Sequence, residues 1–582
     1  MAESEDTTEE MTGGLQVELF HPETDREPGD NNIQKFGFDI HPVIFPVALG
    51  LIGLFIVLTL LLGDQAADIY MSIRSFFEGN FGWFFLLAVN VYMVTILYFA
   101  FGKYGSIRIG GVEAEKEFSD FSWMAMLFSA GMGIGLMFFS VSEPLYYYGN
   151  VPGFFGFEAQ TGEAASAAMA QTFFHWGFHP WAIYGLVGLG LAFFSFNRGL
   201  PLTFRSIFWP LLGERIYGWQ GHVIDLVTVF ATLFGLSTSL GLGVAQINTG
   251  LSYVGGDILG IVNIPTGTVP QMILIVGITA IATASVAAGL DAGIKRLSTI
   301  NLYLMIILLT FLILIGPTVY IFGTWVQGLG TYFGNLLSLS FFTGTQGEGA
   351  ATVSGWTVFY WAWWIAWSPF VGMFIARISK GRTVREFVIG VLFLPSLFST
   401  IWLSTFGGSA LYNSLNSNGQ VLSIYNEAGQ TVAMFALLEQ FPLGAISGGL
   451  ATLLVITFFV TSSDSGSLVV DHLTSGGKHD VPKVQRIFWA VTEGAVAALL
   501  LWGGGLDALQ TAAIATGFPL ALVLILMCFT VYQGLNNEYE ILESQQFAER
   551  VQDMSAEDDV DIITDGDIVT DVKGGADPET TD

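Results

Sequence analysis

Apolar runs of about 20 residues, the length that carries a helix across a bilayer, recur from Val43 to Tyr532 with short polar breaks between them. Twelve transmembrane helices are predicted, over 43–63, 84–102, 121–148, 165–197, 222–252, 268–290, 298–324, 353–379, 385–413, 442–465, 485–506 and 511–534. Composition agrees with the pattern: of 582 residues, 52% are apolar and 12% charged, with a mean hydropathy of +0.60. A soluble core could not hide that much apolar surface, so the partner that solvates it is a lipid bilayer. The fold class that follows is an all-α integral membrane protein.

The polar positions then give orientation. Fifteen of the 20 Lys and Arg residues fall in alternate loops and the adjoining helix ends, from Lys103 to Arg486, whereas the six opposite loops hold Arg74 alone. Short cytoplasmic loops collect positive charge, so a multi-pass protein of the plasma membrane with both termini in the cytoplasm is expected. Residues 1–40 and 536–582 read as acidic disordered tails around a helical domain, 41–535, and the tails hold most of the net charge of −29. Such an acid excess suits solvation in concentrated salt and suggests a halophilic host. No nucleic-acid partner is expected. Met1 to Asp30 lacks the basic start and apolar core of a cleaved signal, so the first span should be retained. The single Cys528 reads as apolar packing rather than redox or metal chemistry.

Two motifs depart from plain lipid-facing sequence. In the third run, Gly131, Gly133 and Gly135 alternate within Phe128–Met137, each weakening a helix by about 1 kcal/mol relative to alanine. Local unwinding is predicted there, although small residues also let membrane helices pack closely. In the fourth run, Trp176, Trp181 and Tyr184 fall on one side of a helix, and Pro180 should kink it. The eighth run carries Trp361, Trp363, Trp364 and Trp367 within seven residues. Tryptophan in membrane proteins usually marks the lipid–water interface, but four so close together near the middle of a span cannot all lie there. Electron-rich rings without charged neighbours suit a quaternary ammonium, which has no N–H to donate and is drawn to the ring faces.

At these residues the chain resembles the betaine/choline/carnitine transporter family. The likeness rests on Gly131-Met-Gly-Ile-Gly-Leu-Met137 followed by Ser142-Glu-Pro144, on the Trp176/Trp181/Tyr184 set, on the Trp-rich eighth run continuing to Arg377, and on Thr461-Ser-Ser-Asp-Ser-Gly466. It covers roughly residues 40 to 535. The resemblance implies a LeuT-like fold of two inverted five-helix repeats, spans 3–7 and 8–12, after two extra N-terminal helices. It also implies a homotrimer and a surface helix within Thr331–Phe342. The periodicity alone does not reveal the repeat.

The resemblance also assigns roles. Trp176, Trp181, Tyr184 and Trp364 would form the ammonium cage, with Trp363 and Trp367 along the route to the cytoplasm and Trp361 either peripheral or packing. Backbone N–H groups near Gly131, Gly133 and Gly135 would meet the substrate carboxylate. Choline-specific relatives tend to have Asp where this chain has Gly135, so a zwitterion that brings its own anion is favoured. Sodium, the expected coupling ion, would take the carbonyls of Ser129, Met132 and Phe458 and the hydroxyls of Thr461 and Ser462; a second site could involve Ser237, Thr238, Ser239 and Phe370. Serine and threonine hydroxyls also hydrogen-bond within membrane helices when no ion is present. No cofactor is expected.

Sodium-coupled import of glycine betaine, or a related trimethylammonium osmolyte, is therefore the reading, with proton-coupled choline uptake or carnitine/betaine exchange on the same fold as the alternative. The intramembrane carboxylates Glu143 and Asp464 could relay protons but more readily anchor helix ends, and Glu493 has no specific role in this reading. His175 and His179 stand four apart, a spacing seen in metal sites, yet no further ligands accompany them. An enzyme built on these histidines and Glu143 would lack a nucleophile–base pair or a metal set. A non-transporting sensor is the third possibility.

Overall fold

The computed structural model describes residues 26–130, 133–288, 294–345, 353–478, 480–556, 560–565 and 568–574. Among these, ten helical stretches are long and apolar enough to cross a membrane. In chain order the helices that matter here are α1 (Ile44–Leu62), α2 (Gln65–Phe101), α3 (Asp120–Ala130), α4 (Ile134–Gly149), α5 (Gly162–Trp176), α6 (Phe178–Phe196), α7 (Trp219–Ser252), α8 (Thr268–Ala288) and α9 (Ile294–Ile315). They are followed by α10 (Thr318–Gly334), α11 (Leu336–Phe341), α12 (Phe359–Ile378), α13 (Val384–Asn416), α14 (Gln420–Ala428), α15 (Ala433–Glu439), α16 (Gly444–Thr474) and α17 (Lys483–Ala556).

Burial separates an inner set from an outer one. In the most apolar window of the α5–α6 stretch 94% of residues are buried, and in α12 83%, against 28% in α1 and 22% in α9. α12 packs on α6, α7 and α17, and α16 packs on α7 and α9. The outer helices turn leucines such as Leu54, Leu58 and Leu61 outward, which in a bilayer places them against acyl chains.

Several boundaries differ from the sequence pattern, each for a local reason. α2 begins at Gln65 rather than 84, because Arg74, which reads as a loop residue, is paired along the helix with Glu78 (2.7 Å) and across to Asp507 (2.8 Å). The predicted run 298–324 ends at Ile315: Pro317 cannot continue the ladder, and a separate helix, α10, starts at Thr318. The amphipathic stretch expected within Thr331–Phe342 thus begins earlier and includes α11. Runs 485–506 and 511–534 both lie in α17, which is kinked at Gly504 and Gly505. Gly505 has φ 62°, ψ −141°, a conformation that a side chain would strain.

β1 (Ile33–Lys35) pairs antiparallel with β2 (Phe38–Ile40), and Asp39 accepts from Lys478 (2.6 Å) and Asn32 (2.8 Å). Burial pushes the Asp39 carboxyl up, but these hydrogen bonds and the Lys478 charge outweigh it and hold the group below the usual carboxylate range. At the other end, α17 runs past residue 535, where a tail was expected: Glu538 is buried against Arg198 (2.6 Å), and Asn536 accepts from the Tyr104 hydroxyl (2.9 Å). Beyond it Val560–Asp565 pairs with Ile568–Gly574.

Arg205 and Asp225 form a buried ion pair between the segment after α6 and the start of α7, with the Arg205 backbone N–H also donating to Asp225 (3.1 Å). Asp225→Ala leaves a guanidinium buried without its anion, and a loss of about 3–5 kcal/mol is expected. Thermal unfolding in detergent checks it; an unchanged midpoint would show that water replaces the carboxylate at no cost.

Candidate functional site

The fourth run is not one helix. α5 ends at Trp176, Gly177 takes φ −96°, ψ −131°, and α6 starts at Phe178. A Cβ on Gly177 would meet the Phe173 carbonyl oxygen at 2.6 Å, so glycine is what allows the break. Pro180, expected to kink the helix, instead sits in the first turn of α6, where its missing N–H is not needed. Trp176 therefore closes one helix, while Trp181 and Tyr184 belong to the next.

The third run is broken as well: Gly133 is extended (φ −178°, ψ −172°) between α3 and α4. Gly131 and Met132 lie outside the described residues, and Ser129 lies in the last turn of α3. Gly135 opens α4, and its missing side chain matters. A Cβ there would approach Cη2 of Trp176 at 2.8 Å and Cη2 of Trp363 at 2.9 Å.

Across from these breaks, α12 supplies the remaining rings. Trp364 stands edge-to-face with Trp176 (centroids 4.9 Å, 74°) and with Tyr184 (6.3 Å, 75°), and it stacks on Trp363 (4.6 Å, 15°). Trp181 meets Tyr184 edge-to-face at 5.2 Å. Ring faces set at such angles enclose a space that a cation can touch from several sides. Trp361 points elsewhere: it is buried and stacks on His179 (5.7 Å, 21°), which makes it packing.

Hydrogen bonds fix the indoles. Trp364 Nε1 donates to the His175 carbonyl (3.0 Å), and Trp363 Nε1 to Ser239 Oγ (3.1 Å). Trp176 Nε1 donates to Glu143 Oε2 (2.9 Å), as does the Tyr360 hydroxyl (2.6 Å), while His175 Nδ1 meets Glu143 Oε1 (2.6 Å). The sequence conveyed only part of what Glu143 does. Its place in the Ser142-Glu-Pro144 motif was visible, but its three partners lie 32 or more positions away.

These rings line a cavity of about 220 Å³, together with Gly133, Gly135, Trp367, Phe370, Ser239, Phe458, Thr461 and Ser462. No charged side chain is among its described lining residues. Ser237 and Thr238 do not reach it: they donate to the Glu493 carbonyl (3.3 Å) and the Leu509 carbonyl (2.8 Å) on α17. Of the four residues suggested for a second sodium site, Ser239 and Phe370 line the cavity, while the Ser237 and Thr238 hydroxyls turn to α17. α9 adds Ser298, Asn301 and Met305, polar or soft residues at helical spacing that the sequence did not single out. Asn301 Nδ2 donates to Thr461 Oγ1 (3.2 Å), and Thr461 donates to the carbonyls of Thr457 (3.0 Å) and Phe458 (3.2 Å).

The family model for betaine/carnitine/choline family transporters matches residues 43–540. The chain belongs to this family. This family member is 45% identical to glycine betaine transporter 1 of Vibrio parahaemolyticus over 527 residues, 88% of this chain and 97% of that one. It is 44% identical to a glycine betaine/proline/choline transporter of the same organism (89% and 94% covered) and 42% identical to a probable glycine betaine transporter of Desulfitobacterium hafniense (84% and 96%). The betaine/carnitine/choline family protein is accordingly a multi-pass membrane transporter and not an enzyme. Its His175 and His179 find hydrogen-bond partners instead of a metal set: His175 Nε2 meets Thr357 Oγ1 (2.9 Å), and His179 Nε2 meets Ser340 Oγ (3.1 Å). Among the described residues no three His, Cys, Asp or Glu converge as metal ligands would. The transporter's other intramembrane carboxylates tie helices together. Asp464 joins α16 to Ser285 of α8 (2.8 Å) and Arg486 of α17 (3.2 Å), and Glu493 accepts from Ser463 (3.2 Å).

Proposed function

We propose that this transporter imports glycine betaine, or a close trimethylammonium relative, by sodium symport. The observation that carries the substrate is a cavity walled by Trp176, Trp181, Tyr184 and Trp364 with no charged side chain on its described lining. A quaternary ammonium finds ring faces there, and its own carboxylate finds backbone donors at the α3–α4 break. Sodium coupling is supported by Thr461 and Ser462, whose side chains line the same cavity as Phe458. The remaining architecture goes with this reading: twelve crossings, inverted five-helix repeats after two extra helices, a homotrimer, and both termini in the cytoplasm.

Uptake of labelled glycine betaine into proteoliposomes, with and without an inward sodium gradient, tests it. Unlabelled choline, carnitine and proline serve as competitors, the more so because relatives are named for choline and proline as well. Accumulation that persists without sodium would reject symport, and no accumulation under any gradient would reject the substrate.

Gly135 gives a sharper check of selectivity. Gly135→Asp adds an anion beside the substrate carboxylate and forces aside the two indoles that nearly touch this position. Betaine uptake is expected to fall at least about ten-fold while choline uptake rises above wild type. Gly135→Ala, which is steric alone, should lower both; equal loss in the two variants would remove the electrostatic argument.

A further inference from the structure

We propose that Glu143 is a buried anion that tunes the aromatic cage for a cation, acting through the indole of Trp176 instead of touching the substrate. The inference rests on reading the cavity as a quaternary-ammonium site. Glu143 itself is fully buried and does not line the cavity, so it stands behind the rings.

The groups around it suit a carboxylate. An indole N–H can only donate, so Glu143 Oε2 accepts from Trp176 Nε1, and the same oxygen receives the Tyr360 hydroxyl. Oε1 faces His175 Nδ1 at 2.6 Å, and His175 Nε2 lies 3.2 Å from Gln171 Nε2. Thr357 Oγ1, 2.9 Å from the same Nε2, can donate to it as well; with Nε2 accepting from these neighbours, the ring proton is on Nδ1 and points at Glu143. Three donors converge on two oxygens, an arrangement suited to an anion, and no Lys or Arg among the described residues forms an ion pair with it.

The anion has a defined route to the cage. A carboxylate hydrogen-bonded to an indole N–H pushes electron density into the ring, which deepens the negative potential of the face that a cation meets. In a low-dielectric interior the charge also acts directly across the ring. Two of the three cage indoles are referred to this point. Trp176 donates to Glu143, and Trp364 donates to the carbonyl of His175, the residue whose ring donates to Glu143. Glu143 is therefore a positioning residue with an electrostatic part, and the two contributions can be separated.

The test uses the purified full chain and its tryptophan fluorescence. The two probes are glycine betaine and 3,3-dimethylbutanoate, which has the same shape with carbon in place of the cationic nitrogen. Glu143→Gln is expected to weaken betaine binding by roughly ten-fold and to leave the uncharged-headed probe within about two-fold. Equal weakening of both probes would make Glu143 a scaffold only and overturn the proposal, as would no change in either. Tyr360→Phe keeps the ring and the carboxylate and removes one competing donor, so betaine should bind as well as or better than in wild type. Weaker binding of both probes in that variant would again favour a scaffold. Wild-type protein that ignores betaine would defeat the cation-site reading itself, whereas wild type that binds betaine with an unaffected Glu143→Gln defeats this inference alone.

Discussion

Trp364→Ala is expected to reduce the apparent affinity for glycine betaine by about 30-fold or more, the largest effect of any single cage substitution. A desolvated cation–π contact contributes about 2 kcal/mol, which is about 30-fold in affinity. Trp364 does more than present one face: Trp176, Tyr184, Trp363 and Tyr360 all lie within 6.3 Å of its ring. Removing it leaves a void that these rings can fill only by leaving their present angles, so their own contacts with the ligand weaken too. Trp364→Phe keeps an aromatic face and should cost only a few-fold. Uptake at a range of betaine concentrations separates the outcomes, and a Trp364→Ala protein with unchanged half-saturation would place the ligand elsewhere.

The second large effect concerns the coupling ion. Thr461→Ala together with Ser462→Ala should abolish stimulation of uptake by sodium while leaving the folded protein intact. Thr461 now donates to two carbonyls of its own helix and accepts from Asn301, the pattern of a hydroxyl with a purely structural task. On the proposed reading its position on the cavity wall beside Ser462 and Phe458 would give it a second use, because sodium needs oxygen ligands where a helix faces an interrupted partner. Loss of two helix-internal hydrogen bonds costs little, so folding and betaine binding at high ligand should survive. The check is uptake against sodium concentration in wild type and the double variant. Sodium dependence that persists unchanged would assign these hydroxyls to the helix alone.

Much of the site was legible before any coordinates because it is written in local composition. Alternating glycines at 131, 133 and 135 marked a break, and Gly133 is extended between two helices. Trp176, Trp181 and Tyr184 and the tryptophans at 361–367 pointed to the cavity, and of these all but Trp361 line it. What escaped depends on partners distant in sequence. Arg74 read as a loop residue because its neutralising Asp507 is 433 positions away. Pro180 looked like the kink because proline is the stronger breaker in isolation, yet the crowded Phe173 carbonyl makes Gly177 the joint. Ser237 and Thr238 were grouped with Ser239 by adjacency, and a helix sends adjacent residues to different faces. Asn301 and Glu143 meet partners far away in sequence, and nothing in spacing says which neighbours they are.

The break at Gly177 has a mechanical corollary. With Trp176 fixed to one rod and Trp181 and Tyr184 to the next, the spacing of Trp176 from Trp181 and Tyr184 is set at a single joint. Trp181 lies about 6 Å along the axis from Gly177 at 1.5 Å per residue. A pivot of roughly 10° there would displace its backbone by about 1 Å, enough, if the rings hold a methylated nitrogen as proposed, to loosen that hold while every side chain keeps its rotamer.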